Sequence, residues 1–354
     1  MAPPDEGSPL VGAGSAPARG GEQTPLPATP RTPRSPTEDP FVVGPVSRVR
    51  IAVGSVVVGN GEALEQLLVA LLCQSHALVE DVPGVGKTLL ARSLAAVMGC
   101  SFRRIQFTPD VLPSDITGSS VYNQRTADFE FRPGPVFTQV LLADEINRAT
   151  PRTQSALLEA MEEHQVTVDG HTTVLPKPFL VLATQNPIEL EGTFPLPEAQ
   201  LDRFLIRVTL GYPSVDDEHA ILLRFEDDDP FSRLSPVVTA DDLIRLQHQR
   251  GQVTVSDPVR SYLVDLVRAT RQDERVALGV SPRGALSLHR AIQARALLEG
   301  RSFTIPDDVK ALAIPVLAHR LIVTAHARLR GDSAAAVLSR ILDATPVPVE
   351  DDAG

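Results

Sequence analysis

His76-Ala77-Leu78-Val79-Glu80-Asp81-Val82-Pro83-Gly84-Val85-Gly86-Lys87-Thr88-Leu89 is the stretch whose reading decides the fold. A short apolar run, residues 76–80, enters a glycine-bearing loop, and a helical pattern over residues 89–98 leaves it. A strand that turns through small residues into a helix offers inward-pointing backbone N–H groups beside a positive helix terminus, which suits a phosphate chain. Lys87 stands where such a loop reaches the β- and γ-phosphates, and Thr88 where a hydroxyl holds Mg²⁺. The strict pattern has a first glycine where this chain has Asp81. A chance glycine-rich turn ending in Lys-Thr would explain the loop alone, but not the strand before it and the helix after it.

Outward from the loop, four further apolar runs alternate with helical ones: Phe102-Arg103-Arg104-Ile105, Val140-Leu141-Leu142-Ala143, Phe179-Leu180-Val181-Leu182-Ala183 and Phe204-Leu205-Ile206-Arg207-Val208. Counting Ala77-Leu78-Val79 with them, three of the five runs are apolar throughout, as parallel strands buried on both faces are. The expected fold class is therefore α/β: a P-loop NTPase core with a parallel sheet between helices, over residues 46–211. Beyond Tyr212-Pro213, residues 240–249, 257–270, 282–300 and 306–329 have helical spacing and caps without a convincing strand. They predict an all-helical lid domain over 212–335 and a flexible tail over 336–354.

The third strand ends in Asp144-Glu145, at the sheet edge where ligands of open α/β sheets bind. Asp144 is expected to hold Mg²⁺ and Glu145 to polarise an attacking water. The fourth strand runs to Gln185-Asn186-Pro187, whose amide either orients that water or makes an ordinary Asn-Pro turn. Arg283 follows Ser281, read as an N-cap, and Pro282, read as the first helical residue. A cation in a first turn opposes the helix dipole, so an anion such as a γ-phosphate is expected beside it. Arg203 precedes the fifth strand, and its residue type alone fits a surface ion pair equally well. Gln165-Val166-Thr167-Val168, Asp169-Gly170 and His171-Thr172-Thr173-Val174 alternate around a two-residue turn signal, predicting an inserted hairpin.

Composition narrows the classes. Residues 1–45 hold eleven of the 31 prolines with Gly, Ser, Thr and Ala, so a disordered tail is expected there. The net charge of −11 argues against general affinity for nucleic acid. The longest apolar stretches are too short to span a bilayer and the N-terminus lacks signal-peptide character, so a cytoplasmic protein is expected. Cys73 and Cys100 have no metal-type spacing and read as reduced thiols. The acidic run Glu226-Asp227-Asp228-Asp229 reads as a solvated loop rather than a cation site.

Taken together, these segments resemble a MoxR-family AAA+ ATPase over residues 46–335. The resemblance is carried by Glu80 through Thr88, by Phe107-Thr108-Pro109-Asp110-Val111-Leu112-Pro113-Ser114-Asp115-Ile116-Thr117-Gly118, by Ala143-Asp144-Glu145-Ile146-Asn147-Arg148-Ala149, by residues 154–163, by Ala183-Thr184-Gln185-Asn186-Pro187 and by Pro197-Glu198-Ala199-Gln200-Leu201-Asp202-Arg203-Phe204. It implies that ATP and Mg²⁺ are the cofactors, with Val58, Gly59, Pro83, Gly84, Val85, Gly86, Lys87, Thr88 and Leu89 around the nucleotide and Thr88 and Asp144 on the metal. It further implies a sensor 1 role for Asn186, an arginine finger at Arg203 and a sensor 2 arginine at Arg283. Residues 119–138 match the family's helix-2 insert, and 165–174 its hairpin before sensor 1. The resemblance also implies a hexameric ring that remodels a separate protein client, one bearing a von Willebrand factor A domain.

Two other readings compete: a metal-chelatase-like or nucleic-acid-translocating motor, and a nucleotide-gated scaffold that hydrolyses little. The hairpin offers Asp169 and His171 rather than a basic cluster, with Lys177 the nearest lysine, which disfavours nucleic acid. Lys87, Asp144, Glu145 and Arg203 argue against the scaffold.

Overall fold

The structure, a computed structural model, describes residues 40–187, 192–226 and 229–348, with side chains from residue 44 onward. The greater part of the expected N-terminal tail, the middle of the acidic run and the last six residues lie outside these. Helix α1 (Pro40–Gly54) begins inside the stretch expected to be tail. Pro40 at the first position needs no N–H, Pro45 forfeits a single hydrogen bond, and Val46, Val49 and Val53 are buried. Each buried valine contributes about 1.5–3 kcal/mol, enough to outweigh that bond.

Next come α2 (Gly61–Leu72), β1 (Ala77–Glu80), α3 (Lys87–Val97), β2 (Phe102–Gln106) and the short α4 (Pro113–Thr117). They are followed by β3 (Gly118–Asn123), β4 (Asp128–Pro133), β5 (Val140–Asp144), α5 (Pro151–Glu163), β6 (Gln165–Val168), β7 (His171–Val174), β8 (Leu180–Gln185), α6 (Glu198–Leu201) and β9 (Ile206–Val208). Strands β2-β5-β8-β1-β9 form one sheet in that order, every pairing parallel. These are the five strands expected from the sequence.

The two-residue period of a strand sorts the core. Ala77, Val79, Val140, Leu142, Leu180 and Leu182 pack on one side of the sheet with α2 and α3. Leu78, Leu141, Ala143, Val181 and Ala183 pack on the other with α5. The expected hairpin is β6–β7, with Asp169 and Gly170 both at positive φ in the turn. Residues 119–138, matched to a helix-2 insert, hold no helix. They contain the β3–β4 hairpin, which places Tyr122 against Phe129 with ring centroids 5.4 Å apart.

The lid contains α7 (Val215–Arg224), α8 (Ala240–Arg250), α9 (Asp257–Gln272), β10 (Val276–Leu278), α10 (Pro282–Leu298), α11 (Pro306–Leu317), β11 (Ile322–Val323), α12 (Ala325–Leu329) and α13 (Ala334–Ala344). Three expectations are corrected here. The helix expected over 306–329 is interrupted, because Pro315 interferes near the end of α11 and Thr324 caps a fresh start. The gap between them supplies β11, which pairs with β10, so the lid carries a small antiparallel sheet. The expected flexible tail from 336 starts within α13, whose Val337, Leu338 and Ile341 are buried. Among the described residues, no helix is long and apolar enough to cross a membrane.

A buried histidine sits under the start of β1. His76 Nδ1 accepts from Val181 N–H at 3.0 Å, and Nε2 faces Met161 O at 3.0 Å, so the proton lies on Nε2. Burial, reinforced by neighbouring His164, pushes its pKa down to about 4. The unfolded chain therefore binds the extra proton first, and stability falls as pH drops from 6.5 towards 4. The expected loss from His76 is about 3 kcal/mol. Urea unfolding at pH 7 and pH 4.5 measures it, and a His76→Gln variant should show a shallower pH slope than the wild type. Equal slopes would remove His76 as the source.

Candidate functional site

The phosphate loop leaves β1 at the carboxyl-end edge of the sheet. Gly84 and Gly86 have φ of +89° and +92°, and a Cβ at either would meet open space. The glycine requirement here is thus one of backbone conformation rather than crowding. Gly86 caps α3 without a side-chain hydrogen bond, so the first N–H groups of that helix are left for an anion. Lys87 Nζ donates to Asp81 O at 2.8 Å, folding the ammonium over the loop.

Asp144 and Glu145 end β5 on the same edge. Thr184 Oγ1 joins them, donating to Asp144 Oδ1 at 2.6 Å and accepting from Glu145 N–H at 2.9 Å. Glu145 has φ +59°, in the left-handed region that costs a non-glycine residue about 1–2 kcal/mol. That conformation turns its carboxylate towards β2, where Gln106 Nε2 donates to Oε2 at 2.7 Å. Arg148 Nε lies 2.9 Å from the same oxygen. Arg104, also on β2, donates to Asp144 Oδ2 through Nη2 at 2.6 Å. Asn186 follows β8 on this edge, partly buried.

Sequence reading did not single out Arg104, Gln106 or Thr184 as site residues. The parallel register that sets Gln106 level with Asp144 and Arg104 level with Leu142 brings them in. The polar positions of Phe102-Arg103-Arg104-Ile105-Gln106 carried a faint signal, since a fully buried strand would not hold them.

The two arginines are elsewhere. Arg203 and Asp202 precede β9, and Leu205 N–H bonds His76 O at 2.9 Å, just before β1 begins. This is the amino-end edge of the sheet. Arg203 Nη2 lies 3.1 Å from Glu162 Oε2, near the end of α5. Arg283 Nη2 lies 3.4 Å from the other Glu162 oxygen, and its Nε 3.4 Å from Asp202 Oδ2. Buried Arg320 holds Asp202 through Nε at 2.6 Å and donates to Phe204 O at 2.7 Å. Gly284 permits this packing, because a Cβ there would stand 3.1 Å from Arg320 Cδ.

Ser281 caps α10 as expected, its Oγ accepting from Gly284 N–H at 3.2 Å. The anion beside Arg283 is however a pair of carboxylates, and not the phosphate loop of the same chain. The whole of β1, on the order of 13 Å at ~3.3 Å per residue, separates the arginine edge from the phosphate edge.

Val58 and Gly59 line a cleft of about 450 Å³ with Arg50, Asn60 and Leu64, bounded by Arg224 of α7. Gly59 has φ +76°, so its conformation favours glycine, and a Cβ there would stand 2.8 Å from Asp217 Oδ2 and displace that carboxylate. The phosphate loop is not part of this cleft.

A parallel sheet, a glycine loop feeding an uncapped helix, an acidic strand end and a helical lid define a P-loop nucleotide-binding ATPase. Comparison with known proteins narrows this. The family model for the ATPase family associated with various cellular activities (AAA) matches residues 76–206, and the AAA lid domain matches 268–341. The chain is 51% identical to the uncharacterized protein YeaC of Bacillus subtilis over 298 residues, covering 84% of this chain and 93% of that one. It is 41% identical to Chaperone MoxR1 of Mycobacterium tuberculosis over 354 residues, covering 96% and 93% respectively. The crystal structure of a putative ATPase from Cytophaga hutchinsonii superposes with a TM-score of 0.82 at 38% identity, covering 87% of this chain and 96% of that one. The chain belongs to the MoxR family of AAA+ ATPases.

Proposed function

We propose that this protein hydrolyses ATP at sites shared between neighbouring protomers of a ring, and uses the turnover to remodel a separate protein client in the cytoplasm. The observation that carries this reading is the position of Arg203 and Arg283. Both stand at the sheet edge opposite the phosphate loop, Arg203 before β9 and Arg283 on α10 of the lid, which supports a role at the nucleotide of a neighbouring protomer rather than at their own. A head-to-tail contact between copies brings one copy's arginine edge to the next copy's phosphate edge, and such a contact closes into a ring. A hexamer is the ring we propose.

Within one site, Lys87 and the loop N–H groups bind the phosphates. Glu145 orients and deprotonates the attacking water, and Asn186 holds that water in line. Arg203 and Arg283 of the adjacent copy stabilise charge on the transferred phosphoryl group. Thr88 and Asp144 would hold Mg²⁺, which supplies positive charge to the phosphate oxygens. Their hydroxyl and carboxylate oxygens are the hard donors that ion takes, and the contact of Arg104 with Asp144 already draws a cation there. The client we propose is a chain with a von Willebrand factor A domain, in line with the family resemblance. The relative named a chaperone supports the remodelling role.

Helix α7, next to the phosphate edge, supports the ring. None of its residues is buried, and Val215, Leu222 and Leu223 are each more than 70% exposed. Exposed Leu286 lies one turn beyond Arg283 on the arginine edge. Apolar surface of this kind on both edges is what a contact between copies would cover. Specific activity should therefore rise with protein concentration, and Leu222→Asp/Leu223→Asp should shift that rise to higher concentration, as read by turnover with light scattering. A specific activity independent of concentration in a monomeric sample would overturn the shared site.

A further inference from the structure

We propose that Asp81 is a positioning residue that clasps the phosphate loop to the entrance of the lid, so that nucleotide loading is transmitted to the hinge. The proposal rests on the nucleotide-binding reading and goes beyond it. Asp81 occupies the position where the strict phosphate-loop pattern has glycine, and it is only 6% exposed. Its Oδ2 accepts from Leu210 N–H and from Gly211 N–H, both at 2.7 Å. Its Oδ1 accepts from Val82 N–H at 2.8 Å. Among the described residues no cation forms an ion pair with this buried carboxylate, and three backbone donors carry the compensation for its charge. A glycine here would strip Leu210 and Gly211 of their acceptor.

Those two donors occupy a particular place. Leu210 and Gly211 follow β9 and lead through Tyr212-Pro213 to Ser214, which caps α7, so this is where the chain passes from the α/β domain into the lid. Gly211 has φ +72°, a conformation that marks a turn in the passage. The clasp therefore joins the first residue of the phosphate loop to the first turn of the lid linker.

The main chain of the same aspartate touches the nucleotide machinery. Its N–H bonds Gln185 O at 3.3 Å, beside Asn186. Its carbonyl accepts from Lys87 Nζ at 2.8 Å. A triphosphate draws Lys87 to its β- and γ-oxygens, and the Asp81 carbonyl then loses that donor. One residue thus registers at its carbonyl whether Lys87 is engaged, and holds the hinge through its carboxylate. The lid so oriented carries Arg283.

The test uses full-length wild type, Asp81→Asn and Asp81→Gly. In the asparagine variant an NH₂ group must face one of the three N–H donors. In the glycine variant the strict loop pattern is restored and the clasp alone is removed. Three quantities are read: affinity for a fluorescent ATP analogue, turnover, and hydrogen exchange at Leu210 and Gly211 with and without ATP. The wild type should show ATP-dependent exchange at these two amides. Both variants should bind ATP with near wild-type affinity, lose that exchange response, and lose about 10–100-fold in turnover, the scale for misplaced catalytic groups. Wild-type turnover with an intact exchange response in either variant would overturn the proposal. So would loss of ATP binding in step with a lowered Tm in both, which would make Asp81 a support of the fold. A wild type that binds no ATP would instead sink the nucleotide reading itself.

Discussion

Replacing Glu145 by glutamine is expected to lower ATP turnover by about 10²–10⁴-fold while leaving ATP bound, the range for loss of a positioned general base. The geometry makes this substitution informative. Glu145 Oε2 receives Gln106 and Arg148, and the backbone N–H is fixed by Thr184. Glutamine preserves the shape and can still accept from Gln106, so fold and nucleotide binding should persist. What disappears is the negative charge that, on the proposed reading, takes a proton from water. Single-turnover hydrolysis with a parallel binding titration separates the two effects. Turnover within about threefold of wild type, less than 1 kcal/mol of barrier, would mean that Glu145 is not the base. The same variant held in its ATP-bound state is the bait for identifying the proposed client by co-purification.

Gln106 and Arg104 show why part of this site was hidden in the sequence. The phosphate loop is contiguous, and a strand, two glycines and a helix within fourteen residues announce themselves. Asp144 and Glu145 are legible for the same reason, since an apolar run points to its own end. The partners of Glu145 are not contiguous: Gln106 is 39 residues away and reaches it because β2 lies beside β5. Strand order is a tertiary outcome that no local period encodes.

The same holds for Arg283, whose contact with Glu162 spans 121 residues. Its first-turn position called for an anion, and the carboxylates of Glu162 and Asp202 stand there in the protomer; local reasoning could not tell a carboxylate from a phosphate. The missed lid strands have another cause. β10 and β11 are three and two residues long, too short for alternation to register against the surrounding helical pattern. The β3–β4 hairpin lacks the Asp-Gly signal that gave β6–β7 away, its turn passing instead through Ala127 at φ +53°.

Arg203→Ala is expected to reduce turnover by about 10³–10⁵-fold, the range for an arginine supplied across a subunit boundary. ATP binding should be spared, since Arg203 stands on the far edge of its own sheet. In the protomer Arg203 is stored against Glu162, with the two side chains 29% and 39% exposed. A pair this accessible is worth about 0–1 kcal/mol, so it restrains the arginine weakly and yields when a phosphate is presented.

The decisive form of the experiment mixes Arg203→Ala protomers with Glu145→Gln protomers. Each is inactive alone. In a mixed ring, an Arg203→Ala protomer contributes an intact Glu145 and phosphate loop, and its Glu145→Gln neighbour an intact Arg203. Random assembly at equal concentrations makes about a quarter of the interfaces complete, and activity should recover to that order. An arginine acting within its own chain gives no recovery at any ratio. Arg283→Ala should complement Glu145→Gln in the same way, because Arg283 shares Glu162 with Arg203 and stands on the same edge. Complementation by one arginine and not the other would divide the pair, leaving the second as an anchor of the lid on Glu162 and Asp202.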